Sequence, residues 1–72
     1  MALDTCRNMA NQGDAVSQKN LGYMYYFGNE RLQANQAESV KWFKLAAAQG
    51  NKSAQYRLDM IVGGTEFTQL SQ

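Results

Sequence analysis

Residues 10–21 read ANQGDAVSQKNL and residues 47–58 read AAQGNKSAQYRL, and the second stretch repeats the first at an offset of 37 residues. Ala10, Gln12 and Gly13 return as Ala47, Gln49 and Gly50. Past the glycine, Gln18 returns as Gln55 and Leu21 as Leu58, and the small Ser17 meets the small Ala54. Self-similarity at a period of roughly 20 to 50 residues marks stacked supersecondary units, none of which can bury its apolar face alone. The same kind of helix follows the same turn twice.

Working outward from that repeat, glycines act as punctuation at Gly13, Gly28, Gly50 and the Gly63-Gly64 pair, and proline is absent. Helices stopped by glycine caps are expected at about 3–12, 14–27, 36–49 and 52–62. In the first, Leu3, Cys6, Met9 and Ala10 fall on one face. The second carries two stripes: Ser17, Leu21 and Tyr25 recur every fourth residue, while Val16, Lys19, Tyr23 and Tyr26 follow an adjoining line. Only one of them has to be core. Gly22 lies inside this helix, where glycine costs about 1 kcal/mol relative to alanine, so a neighbouring helix is expected to cross it closely.

Residues Gly28 to Ala34 form a polar loop, and Asn35 with Glu38 resembles a capping box opening the third helix. That helix offers Val40, Trp42, Phe43, Leu45, Ala46 and Ala47 as a broad apolar surface. The fourth places Ala54, Leu58, Ile61 and Val62 inward, and 65–72 read as a loosely held tail. The expected architecture is all-α: about four helices in antiparallel helix-turn-helix units, a fragment of an α-solenoid forming one domain over 1–64.

Composition limits the chemistry. A chain of 72 residues supports one small core, worth only a few kcal/mol of net stability. Seven basic and six acidic residues leave a net charge of +1, which favours neither a nucleic acid nor a membrane surface. Cys6 is the single cysteine, so an intrachain disulfide is excluded, and with no histidine in the chain it lacks the partner a zinc site or a thiol nucleophile needs. A half-buried structural role is expected for it.

The acids Asp4, Asp14, Glu30, Glu38, Asp59 and Glu66 are scattered, and no phosphate-binding glycine loop occurs. No catalytic residue, metal or cofactor is therefore expected. Lys41 and Lys44 beside Trp42 and Phe43 read as a solvated helix face, with Glu38 near them, rather than as a nucleic-acid site. The N-terminal residues predict neither a signal peptide nor a membrane anchor, which with the lone cysteine favours the cytoplasm.

The spacing of Ser17, Leu21, Gly22, Tyr25 and Gly28, followed by Asn35, Ser39, Trp42, Phe43, Ala46, Ala47 and Gly50, resembles the Sel-one-like repeats, relatives of the tetratricopeptide repeats. The likeness covers one whole unit, about Gly13 to Gly50. It makes 14–49 a complete repeat, 3–12 the second helix of a preceding partial one, and 51–62 the first helix of a degenerate terminal one. Two departures stand out. The loop Gly28-Asn29-Glu30-Arg31-Leu32 is one residue longer than the family's and lacks its second glycine, so it must take another backbone path. Asp59 and Val62 replace the glycine and tyrosine equivalent to Gly22 and Tyr25.

The resemblance implies Tyr25, Trp42 and Phe43 in the core and a non-catalytic protein-binding module. Such repeats commonly serve as adaptors in bacterial signalling, stress and host-interaction systems and in eukaryotic quality control. By likeness to the tetratricopeptide class, Val16, Lys19, Tyr23 and Tyr26, with Ser53, Tyr56 and Met60 on the next first helix, line a groove for a protein or peptide partner. Two alternatives stay open at this point. The same side chains could cover the ends of a self-associating stack, giving a homo-oligomer, or the acids could pair into a small hydrolase.

Overall fold

The computed structural model describes residues 3–63, and the tail expected at 65–72 lies outside them. Four helices follow one another: α1 (Leu3–Asn11), α2 (Ala15–Phe27), α3 (Gln36–Ala48) and α4 (Lys52–Leu58), the last continuing as a π-helical segment, Asp59–Gly63. Each helix packs on its neighbour in sequence, and α2 also touches α4. The chain is thus a run of helical hairpins, as the sequence predicts.

The caps explain where the helices begin. Asp14, Asn35 and Asn51 each stand in an extended conformation, and each side-chain oxygen accepts from the amide three residues on: Ser17 at 3.1 Å, Glu38 at 3.1 Å and Ala54 at 2.9 Å. One orphan donor is satisfied at each helix start. The expected capping box at Asn35 is only half made. The Asn35 amide donates to the Tyr25 carbonyl at 2.7 Å, and the Glu38 carboxylate lies 3.9 Å from Lys41. The backbone donor that Glu38 would have served is already taken by the preceding helix.

The turns after α1 and α3 are the same turn. Gly13 (φ 99°) donates to the Ala10 carbonyl and Asp14 to that of Met9; Gly50 (φ 92°) donates to Ala47 and Asn51 to Ala46. These paired bonds are the glycine C-cap in which two orphan carbonyls are closed by a left-handed residue. Shifting every partner by 37 residues maps one set onto the other, so the sequence repeat is also a repeat of hydrogen bonds.

The longer loop takes its own path through Asn29. Its side chain accepts from Arg31 at 2.8 Å and Leu32 at 2.9 Å, and its amide donates to the Leu32 carbonyl. A side-chain turn therefore stands where the family's second glycine is missing.

Two apolar clusters form the core. Cys6, Ala10, Leu21 and Trp42 join α1, α2 and α3, with Leu3, Met24 and Tyr25 against them. Phe43, Ala46 and Ala54 join α3 to α4, with Tyr23, Ala47, Leu58 and Ile61 around them. Gly22 lies where α2 crosses α3: a Cβ there would stand 2.7 Å from the Phe43 ring. The Ser39 hydroxyl donates to the Gly22 carbonyl at 2.8 Å across the same crossing. Gln18 and Gln49 tie the hairpins together, Gln18 donating to the Ala10 carbonyl and Gln49 to both Gln18 and the Gly13 carbonyl.

Some expectations require correction. Met9, Leu45 and Val62 are exposed rather than core. Met9 lies about 100° round the helix from Ala10, past the edge of the stripe that α2 and Trp42 cover. Cys6 is fully buried, not half-buried, its thiol donating to the Ser17 carbonyl at 3.2 Å. The fourth helix is α-helical only to Leu58. There the Asp59 amide is shared between the Gln55 and Tyr56 carbonyls, and the π-helical segment follows.

Candidate protein-interaction face

The seven residues expected to line a contact surface come from α2 and from α4 with its π-helical extension. Val16, Tyr26, Tyr56 and Met60 are 55%, 39%, 61% and 51% exposed, and Ser53 is exposed as well, while Lys19 and Tyr23 are half-buried. Tyr23 differs from the expectation that it stands clear of the core. Its ring forms a T-shaped pair with Phe43 at 5.1 Å and stacks beside Phe27 at 6.2 Å, so part of it packs and the remainder faces out. Tyr26 meets Phe27 edge-on at 5.0 Å.

Helical spacing explains the exposure on α4. With about 100° per residue, Ala54, Leu58 and Ile61 share the side that meets α3, whereas Ser53, Tyr56, Arg57 and Met60 share another. Tyr23 and Tyr56 are brought together through a residue the sequence reading passed over. The Arg57 guanidinium carbon lies 5.5 Å from the Tyr23 ring centre and 6.0 Å from that of Tyr56, within cation–π range. Hydrogen bonding to Tyr23 pushes the Arg57 pKa further up, and a guanidinium stays charged in any case. Phe27, two-thirds exposed, is the second omission. Arg57 follows Ser53 by four residues and Phe27 follows Tyr23 by four, so both were legible as neighbours of the expected stripe.

A different surface carries a shallow depression of about 510 Å³, lined by Ala37, Val40, Lys41, Lys44 and Leu45 on the outer side of α3. Lys41 there lies over the Trp42 ring at 4.9 Å and 3.9 Å from Glu38. Its charge is locally answered. Two of the described acids hold structural places, Asp14 as a helix cap and Asp59 as acceptor of a 2.9 Å bond from Gln55. Among the described residues, no helix is long and apolar enough to cross a membrane.

The Sel1 repeat family model matches residues 15–51, from the first residue of α2 to the cap of α4, which is 37 of the 72 residues. Comparison with curated proteins and with solved structures gave no match. Sel1 repeats are helical hairpins that serve as non-catalytic scaffolds and generally mediate contacts between proteins. One complete unit, α2 with α3, is matched over its whole length here, and the chain belongs to the Sel1 repeat family.

Proposed function

We propose that the face shared by α2 and α4 docks a protein or peptide, and that the protein acts as an adaptor by shape and hydrogen bonding, without turnover. The observation that carries this reading is the aromatic surface Tyr26, Phe27 and Tyr56, left open to solvent beside the half-buried Tyr23. Large amphipathic rings grouped on one face supply contact area at low conformational cost, and contacts of this kind dominate interface energetics. Val16, Lys19, Ser53 and Met60 extend the face along both helices. In the same reading, α1 is the second helix of a preceding unit and α4 the first of a following one.

The test is affinity capture from native lysate with mass-spectrometric readout, comparing the wild-type chain with a Tyr26→Ala/Tyr56→Ala variant. Tyr23 is left intact because it also packs on Phe43. A protein retained by the first and lost by the folded variant is the expected result. An identical set retained by both removes the assignment.

A second reading, self-association, is favoured by the exposed Met60 and Val62 at the end of the stack. Light scattering behind a sizing column separates the two, and a strictly monomeric mass at high concentration removes this alternative.

A further inference from the structure

Arg57 stands on this face with no carboxylate partner among the described residues. The Tyr23 and Tyr56 ring centres lie 5.5 Å and 6.0 Å from its guanidinium carbon, and its Nε is covered and bonds to nothing among the described residues. No described carboxylate forms an ion pair with it; the ion pair among those residues joins Lys41 to Glu38 on α3. Asp59, the acid nearest in sequence, bonds to Gln55, and those two lie on roughly the opposite side of α4. The seven expected contact residues add one lysine, Lys19, and no acid.

Cation–π contact and the bond to Tyr23 engage part of the guanidinium, and a guanidinium carries five N–H donors, more than these contacts use. A carboxylate accepts two such donors in parallel, a geometry that arginine offers and lysine does not. A charge already stripped of part of its water gains more from such a partner than a fully solvated one. Two tyrosine rings lie beside the guanidinium, and Phe27 and Met60 stand exposed on the same face, so a matching ligand carries an acid flanked by apolar groups.

We propose that Arg57 is the anion-recognition residue of the interaction face, and that the partner presents a peptide segment with an acidic side chain between apolar ones. The inference rests on the reading of the α2–α4 face as a docking surface.

Short synthetic peptides containing Glu with Leu and Phe, and their twins with every Glu replaced by Gln, test it by fluorescence anisotropy. They are titrated into the wild-type chain and into the Arg57→Gln, Arg57→Lys and Tyr26→Ala/Tyr56→Ala variants, each checked for unchanged helical circular dichroism. The expected result is that the wild-type chain binds acidic forms about tenfold or more tightly than their twins, and that Arg57→Gln binds both equally. Arg57→Lys, which keeps the charge and loses the fork, is expected to retain only part of the preference.

An acid preference that survives in Arg57→Gln overturns the proposal. Equal binding of both forms by the wild-type chain, abolished in the tyrosine variant, also overturns it while leaving the docking face in place. If no peptide binds, the proposal fails with the reading beneath it. Should Arg57→Gln lose helicity, the comparison passes to Arg57→Lys, where an undiminished preference is the contradicting result.

Discussion

At Gly22, a Cβ would lie 2.7 Å from two atoms of the Phe43 ring and 2.9 Å from a third, and that ring is fully buried. Gly50 has open space around it and a φ of 92°, so its requirement is conformational. Gly22→Ala is expected to lose about 1–3 kcal/mol through overpacking, despite alanine's advantage in a helix. Gly50→Ala is expected to lose roughly 1 kcal/mol through the left-handed backbone alone. Urea unfolding measures both. The interior glycine was legible in the sequence as a close crossing; that Phe43 supplies the crossing atoms was not, because the contact joins two helices.

Cys6 makes a pH-dependent prediction. Burial pushes its thiol pKa up, with the Asp14 charge adding to the effect. The folded state thus keeps a proton that the unfolded chain releases from about pH 9 upward. The stability linked to this group is complete below that pH and falls as pH rises toward the folded value. Relative to Cys6→Ala, the wild-type chain is expected to lose stability more steeply above about pH 9 in urea titrations, and its thiol to resist a disulfide reagent until unfolding.

At the scale of elements, three helices open on a short acceptor side chain, Asp14, Asn35 or Asn51, and the hairpins depend on it. Asp14→Ala and Asn51→Ala are each expected to cost about 1 kcal/mol, read as lower urea midpoints with unchanged slope. The helix periodicity, the glycine caps and the Asn35 cap were readable because they are local. What escaped the sequence is tertiary. Glu38 does not return to the Asn35 amide because Tyr25 occupies it, and Leu45 and Val62 stay exposed because no described helix covers their side of α3 or α4. The Asn29 turn shows the same division, since the missing glycine foretold a different path and only the structure names the bonds that make it.

At the scale of the whole molecule, the 37-residue offset governs the course of the chain, with paired turns at Gly13 and Gly50 setting successive helices side by side. That arrangement leaves α2 and α4 in contact with Tyr26, Phe27 and Tyr56 outward. Tyrosine spacing within each helix placed the face in the sequence. The bridge between the helices was not legible, because Arg57 looks like any solvated arginine until Tyr23 is beside it.

Partners are expected to meet this face and not the outer side of α3. Site-specific photo-crosslinking in native lysate tests it, with p-benzoylphenylalanine introduced in one variant at Tyr56 and in another at Leu45, both exposed. A discrete crosslinked partner is expected from position 56 and none from position 45. A partner captured from position 45 and absent from 56 would contradict it.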